Sequence, residues 1–367
     1  MKYGEKMKLL YFSTVNWNWI KQRPHFISSY LSKSDIEVDF FSLTPFLKQK
    51  ISGVNLDNKN LNIKDKYVIP FSNKLKIIEK INSNYIKKLL NNNNYDIVIL
   101  THPFQINYIT KKIKDNAMII YECMDNMPYF YDNKLREKVI MKEKELCILV
   151  DSIIVTSSYL KTRLVRDYKI RKDKVSIIRN AVDISFLDDV EFKQLNLKHP
   201  NIMYIGTISD WFDYNTINEF AIGNPNITIY LIGPIEKRSL DKIKKLDNIK
   251  LIGAIEHNLV KSYILNADVM IIPFIVNDVI KGVDPVKMYE YLALNKQIVS
   301  AYWEELSAFN NDQLLYFYEN YKEFEEKINL ALCNKKSNDL IDTEFISMNN
   351  WNDRAKEYVS LINKQYK

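Results

Sequence analysis

Glycine is scarce in this chain: seven in 367 residues, with neither a G-x-G-x-x-G nor a G-x-x-x-x-G-K-[ST] run. That excludes the glycine-rich turn of a standard dinucleotide-binding site and the phosphate cradle of a P-loop. Cysteine is scarcer still. Cys123, Cys147 and Cys333 are scattered without C-x-x-C spacing, which points to a reducing compartment and away from a disulfide framework or structural zinc. Four dispersed histidines offer no ligand cluster. Asp188-Asp189 reads as a solvated pair in a connecting segment, so metal-independent chemistry is expected. No apolar run nears the ~18 residues of a membrane span, and Leu9 to Phe12 is too short for a signal peptide. A cytosolic protein is the expectation.

What is present fits a folded chain, with 47% hydrophobic and 26% charged residues. A chain of 367 residues exceeds one ordinary core and suggests two domains of roughly 150 to 200 residues each. The net charge of +7 suits an acidic substrate, an anionic membrane surface or nucleic acid. No nucleic-acid-binding module occurs, which disfavours the last. Two stretches concentrate the basic residues. One carries Lys161, Arg163, Arg166, Lys169, Arg171, Lys172 and Lys174 against Asp167 and Asp173; the other, Lys74 to Lys88, holds five lysines against Glu79. In the second, Leu75, Ile78, Ile81, Tyr85, Ile86 and Leu89 recur near helical spacing. The spacing predicts an amphipathic helix with a basic face, either packed on a core with solvated lysines or laid on a membrane.

Short runs rich in Ile and Val alternate with longer helical patterns, the signature of a parallel α/β architecture. Strands are predicted over Lys8–Phe12, Ile36–Phe41, Asp96–Thr101, Met118–Glu122 and Ser152–Thr156. Further strands are predicted over Ile202–Ile205, Ile227–Ile232, Ile249–Ile252, Val269–Pro273, Gln297–Ala301 and Leu314–Tyr316. The polar, helix-poor segment from Asp183 to Lys198 reads as a linker. Two doubly wound domains, 1–185 and 198–345, are expected to face a cleft, with ligands beyond the carboxyl ends of the strands.

The most informative stretch runs from Asp284 to Asn295. Asp284 reads as an N-cap, Pro285 as the first helical residue and Asn295 as a left-handed closure. The dipole and orphan N–H groups at such a helix start attract phosphate, although the charge of Asp284 would compete. Lys287 and Glu290, three residues apart, share a face. The lysine suits a diphosphate and the carboxylate suits ribose hydroxyls. An ordinary surface salt bridge has the same spacing.

Taken in order, several segments resemble the nucleotide-binding domain of family 4-like glycosyltransferases. They are Tyr204-Ile205-Gly206-Thr207, Ile229-Tyr230-Leu231-Ile232-Gly233-Pro234, Leu251-Ile252-Gly253, Ala267-Asp268-Val269-Met270-Ile271-Ile272-Pro273-Phe274 and Pro285-Val286-Lys287-Met288-Tyr289-Glu290-Tyr291-Leu292-Ala293. Gln22-Arg23-Pro24-His25-Phe26, Tyr121-Glu122-Cys123-Met124-Asp125 and Trp351-Asn352-Asp353-Arg354-Ala355 are similar to the bacterial teichuronic-acid and exopolysaccharide type. The resemblance covers nearly the whole chain, with Phe41–Tyr95 the least assignable part. It implies a GT-B fold of two Rossmann-like domains, with a final helix, 350–367, crossing back to the first.

The resemblance also implies that Glu290 binds the donor ribose and Lys287 the diphosphate, with Gly206, Gly233, Gly282 and Tyr289 on the donor side. The commoner family pattern has two glutamates separated by seven residues. The first falls at Gly282, where glycine would let the backbone approach the ligand instead. The Arg and Lys that many relatives carry after the first strand of this domain are replaced by Thr207-Ile208-Ser209-Asp210, which shifts phosphate neutralisation to Lys287, with Lys281 nearby.

In the first domain, Asp125 just past a strand is the candidate catalytic base, with Glu122 in reserve. Arg23, His25, Trp17 and His102 are acceptor or cleft candidates, Trp17 and Trp19 as stacking surfaces for a sugar. Arg23 and His25 read equally well as a bridging residue and a cap. Asn180 and Asp183 match an Asn-x-Val-Asp element entering the linker. The expected activity is metal-independent transfer from a nucleotide-sugar, UDP first among the bases, to a hydroxyl of a cell-surface glycan, lipid-linked intermediate or protein. No cofactor is expected beyond that donor, and the expected place is the cytoplasm, peripheral at the inner face of the membrane. A weakly catalytic partner subunit and a sugar-nucleotide 2-epimerase fit the same architecture.

Overall fold

The computed structural model describes residues 6–45, 58–71, 75–184, 194–309, 311, 313–334 and 341–365. Lys74, Asp188 and Asp189 lie outside the described residues, as does much of the expected linker. In chain order the first part runs β1 (Met7–Phe12), α1 (Arg23–Leu31), β2 (Ile36–Pro45), β3 (Leu61–Val68), α2 (Lys76–Asn91), β4 (Ile97–Leu100), α3 (Lys111–Asn116), β5 (Met118–Cys123), α4 (Asn133–Leu149), β6 (Ser152–Val155), α5 (Ser158–Tyr168) and β7 (Val175–Ile177). The second part runs β8 (Asn201–Ile205), α6 (Tyr214–Gly223), β9 (Thr228–Ile232), α7 (Lys237–Leu240), β10 (Ile249–Gly253), α8 (His257–Asn266), β11 (Val269–Ile272), α9 (Val286–Ala293), β12 (Ile298–Ala301), β13 (Leu315–Tyr318), α10 (Tyr321–Cys333) and α11 (Thr343–Met348). A last helix, α12 (Trp351–Gln365), follows.

The chain divides into two compact units, one of residues 1–179 with 351–367 and the other of residues 180–350. The first holds a parallel sheet in the order β3-β2-β1-β4-β5-β6-β7 and the second one in the order β10-β9-β8-β11-β12-β13. Each order reverses once, between β1 and β4 and between β8 and β11. Those reversals are where an open α/β sheet leaves a crevice beyond its strand ends. Leu9, Leu10, Ile97 to Leu100, Ile202, Met203 and Val269 to Ile272 are buried. Strands covered on both faces need continuous apolar runs, which is why these were legible as strands.

Two strands were not foreseen, β3 and β7, and both are edges of the first sheet. The sequence of β3, LNIKDKYV, is polar for a physical reason. Its Lys64 pairs at 2.6 Å with Asp39, a carboxylate buried in β2 that also accepts from Tyr95 at 2.8 Å. An edge strand that neutralises its neighbour carries charges where an interior strand carries Val or Ile.

Within the first unit, α12 packs on α1. Trp351 is fully buried and stacks on Phe26, with ring centroids 5.2 Å apart. In the basic stretch 161–174 the three arginines are paired. Arg163 is buried against Glu143 at 2.7 Å, while Arg166 and Arg171 pair with Asp167 and Asp173. In α2 the core takes Asn82, Ile86 and Leu90, whereas Leu75, Ile81 and Tyr85, expected on the packed face, are exposed.

Candidate functional site

In the second unit the central strand β8 is followed by Gly206, whose φ is +150°, and its neighbour β9 by Gly233, with φ of +131°. The two strand ends are pressed together: the Gly206 N–H donates to Ile232 O at 2.8 Å, and a Cβ on Gly233 would lie 2.2 Å from Gly206 O. A side chain at Gly233 would need a backbone shift, and one at either position would sit at an unfavourable φ. A Cβ on Gly206 would also meet Lys287 Cε at 2.2 Å and Nζ at 2.6 Å. The missing side chain of Gly206 is therefore the seat of Lys287.

Lys287 comes from the first turn of α9, which is pinned at that spot by neighbours. Tyr291 places its hydroxyl against the backbone of Ile205 at the end of β8, 3.3 Å from Ile205 N. Trp303 Nε1–H donates to Val283 O at 2.9 Å, just before the helix. The half-buried ammonium lies 5.5 Å from the centre of the Tyr204 ring and 6.0 Å from that of Phe274. It makes no hydrogen bond or ion pair among the described residues. Desolvation lowers its pKa, with Glu290 acting in the opposite sense. Glu290, one turn on, is half-buried and equally without a hydrogen bond among the described residues. Burial pushes its carboxyl up to about 7, Lys287 opposing and Asp183 adding to the rise. A desolvated cation and a carboxylate poised to ionise thus share one helix face beside two glycine strand ends.

The start of α9 differs from expectation. Its N-cap position is Pro285 rather than Asp284, whose carboxylate is engaged elsewhere. It accepts instead from the Asn180 N–H at 2.6 Å, while Asn180 Nδ2 donates to Asp284 O at 2.6 Å and the Tyr289 hydroxyl donates to the carboxylate at 3.0 Å. A buried carboxylate collects donors wherever the fold brings them, and here they come from the segment that begins the unit. Its charge is thus turned inward. Tyr289, expected on the donor side, is buried against Phe309 and Asp284, away from the Lys287 face. Gly282 is buried and closes a 3-10 turn, and it is not one of the positive-φ glycines, so its conformation is open to any residue. Lys281 is exposed and paired with Asp278 at 3.3 Å. Asn295 closes α9 in the left-handed conformation, as its sequence position predicts.

In the first unit, Asp125 follows β5 and is half-buried. Its carbonyl accepts from Met127 N–H at 2.8 Å, while its carboxylate has no hydrogen bond or ion pair among the described residues. Burial raises that carboxyl to about 6, with Arg23 opposing. Glu122 is not available for proton transfer: it lies fully buried, binding Arg23 Nε at 2.6 Å and the hydroxyls of Tyr11 and Tyr358.

Arg23, expected to meet an acceptor, is therefore a buried anchor, donating also to Arg179 O and Tyr358 OH at 2.9 Å each. His25 is likewise committed. Its Nδ1 accepts from Gln22 N–H at 3.1 Å, its Nε2 lies 3.2 Å from Asn16 O, and its ring packs between Trp17 and Phe40. Trp17 covers this cluster edge-on to Phe40. His102, half-buried, accepts from Phe104 N–H and lies 3.0 Å from the Tyr131 hydroxyl; burial lowers its pKa to about 4, so it is neutral at pH 7. Sequence reasoning missed Asp284 as a latch and the Gly206 seat, because both depend on segments about a hundred or eighty residues apart meeting in space.

Residues 25–186 match the family model described as Glycosyltransferase Family 4. Among curated proteins, the chain is 28% identical over 240 residues to the "Putative teichuronic acid biosynthesis glycosyltransferase TuaH" of Bacillus subtilis (strain 168), covering 59% of this chain and 58% of that protein. The chain spans about half the length of the curated relatives it matches. Among solved structures, a glycosyltransferase from Rickettsia africae ESF-5 superposes with a TM-score of 0.68 at 14% identity, covering 99% of each chain. Anabaena Alr3699/HepE in complex with UDP and glucose gives a TM-score of 0.70 at 12% identity, over 97% of this chain and 99% of that one.

Proposed function

We propose, on the premise that this chain carries a glycosyltransferase family 4 domain and has the GT-B fold, that it transfers a sugar from a nucleotide-sugar to an acceptor hydroxyl. The observation that carries the reading is Lys287, a half-buried ammonium that makes no ion pair among the described residues, seated on Gly206 at the first turn of α9. A diphosphate arriving there would meet both that charge and the N–H groups of the helix start. Diphosphate charge grows as the sugar bond breaks, so a cation fixed in a desolvated seat favours the transition state over the ground state. Glu290, one turn deeper, accepts the ribose hydroxyls.

Asp125 is the proton acceptor in this reading. A carboxyl held near 6 is ionised at neutral pH yet basic enough to take a proton from a hydroxyl as its oxygen bonds to the sugar. Uridine diphosphate is the donor nucleotide we favour, supported by the UDP and glucose in the Anabaena relative. The acceptor class we favour is a cell-envelope glycan or its lipid-linked precursor, in line with the teichuronic acid relative. No metal enters the proposal, since Lys287 and the helix start provide the positive charge.

Calorimetry against UDP-, GDP-, dTDP- and CMP-sugars, with and without chelator, tests this. Binding of a UDP-sugar that survives chelator and is weakened in Lys287→Ala is the expected outcome. Binding of no nucleotide-sugar at all would overturn the reading in favour of a supporting subunit, and turnover of donor into an isomer without acceptor would make it an epimerase.

A further inference from the structure

We propose that Cys123 and Thr156, with the buried Glu143–Arg163 pair behind them, are positioning residues that hold the turn carrying Asp125 by its main chain. The inference rests on the reading of Asp125 as the proton acceptor and adds the device that places it. The carboxylate of Asp125 makes no hydrogen bond or ion pair among the described residues. Its place is therefore set by the backbone around it. Thr156 Oγ1, buried just past β6, donates to Met124 O at 2.8 Å. Met127 N–H donates to Asp125 O at 2.8 Å, and the buried Cys123 Sγ lies 3.4 Å from the same carbonyl.

A thiol has one proton, and Cys123 has two acceptors within reach: Asp125 O and, at 3.7 Å, Glu143 Oε1. The neighbours decide between them. Glu143, fully buried in α4, accepts from Arg163 Nη1 at 2.7 Å and Nη2 at 2.9 Å, from the Tyr168 hydroxyl at 2.6 Å and from that of Tyr121 at 2.9 Å. Each carboxylate oxygen thus has two donors, which fills its lone-pair sites. Arg163 Nη2 also donates to the sulfur, 3.8 Å away. The thiol proton is left for Asp125 O. Burial and Glu143 push the thiol up to about 12, so it stays a donor at neutral pH.

Stability alone does not account for the Glu143–Arg163 pair. Arg163 keeps its Nε–H buried without a hydrogen-bond partner among the described residues, a cost that an apolar filling of the same space would avoid. What the pair supplies is direction for the thiol. Tyr121 and Cys123, two residues apart, share one face of β5 and both meet Glu143, whereas Glu122 on the opposite face is held by Arg23. Both faces of the strand are anchored immediately before the turn. A proton acceptor needs this, because it works only within hydrogen-bond reach of the hydroxyl it serves.

Titration of the Asp125 carboxyl, followed by carbon-13 NMR in the full chain labelled at aspartate and identified through Asp125→Asn, tests the proposal without any nucleotide-sugar. The parent midpoint is expected at about 6, with Arg23 the charged group that opposes burial there. Thr156→Val, which keeps the volume and removes the donor, and Cys123→Ala should each open the turn to water. The midpoint should then fall by about one pH unit or more, toward the ordinary ~3.9. Thr156→Ser and Cys123→Ser keep a donor and should restore it. A lowered melting temperature with an unmoved midpoint would make both residues merely structural and overturn the proposal, as would Ser variants that titrate like the donor-free ones. Should Cys123→Ala misfold, the near-isosteric Thr156→Val decides. Calorimetry with UDP-glucose on the same variants separates this device from the transferase reading. A chain that binds no UDP-glucose but shows the moved midpoint fails that reading and keeps the turn device; one that binds it with unmoved midpoints does the reverse.

Discussion

The strands β1 and β8 hold the same place in their sheets, each beside the point where strand order reverses, yet the chain beyond them does opposite things. After β1, polar and aromatic residues fill the space and satisfy one another: Arg23 is spent on Glu122, both nitrogens of His25 are engaged, and Trp17 covers the cluster. After β8 the chain turns through Gly206, leaves a gap, and a lysine from another helix enters it with no ion pair among the described residues. Partner count, and not residue type, separates a buried anchor from a group held ready for a ligand. Asp125 and Glu122 repeat the lesson within three residues: the carboxylate buried with three partners is structural, and the half-buried one with none among the described residues is the candidate base.

Four substitutions and titrations would break or sharpen this contrast. Asp125→Asn should lower kcat by about a hundredfold to ten-thousandfold while donor affinity stays constant, read by steady-state assay beside calorimetry. If donor affinity falls equally, the division of roles is wrong. Arg23→Ala leaves the Glu122 carboxylate buried and unpaired, so denaturant unfolding should show a loss of about 3–5 kcal/mol. A stable Arg23→Ala chain with lost acceptor affinity would instead return Arg23 to the site.

Lys287→Ala should weaken donor binding by about tenfold to a hundredfold, the worth of a charged hydrogen bond, without lowering the melting temperature. The ammonium it removes is desolvated and makes no hydrogen bond or ion pair among the described residues, so its loss strands no hydrogen-bonded partner.

The smallest effect is in pH. The carboxyl of Glu290 is raised to about 7 in the fold, so the folded state holds a proton more firmly than the unfolded chain does. Its contribution to stability is accordingly lost as pH rises from the ordinary carboxylate range to about 7, the reverse of a salt-bridged carboxylate. Donor affinity should climb over the same window as Glu290 ionises to accept ribose hydroxyls, and Glu290→Gln should flatten both profiles.

Much of the architecture was legible because burial on both faces forces apolar runs: the predicted strands from Lys8–Phe12 to Leu314–Tyr316 each have a counterpart within a few residues. The strand β3 was not, since its Lys64 answers the buried Asp39 across the sheet. The amphipathic helix at 76–91 was legible as a helix but not in its facing, because which of two apolar stripes packs inward depends on what lies beneath.

At the candidate site, the pairing of Lys287 with Glu290 on one face followed from spacing alone, as did the left-handed closure at Asn295. Helical geometry is local, and three residues of separation suffice to fix it. Only the tertiary structure decided that Asp284 would turn inward to Asn180, that Tyr289 would follow it, and that Arg23 would vanish into a network reaching Tyr358, 335 residues away. A polar side chain is available for chemistry only if the fold leaves it unsatisfied. The residues that satisfy it come from anywhere in the chain, so no local pattern announces them.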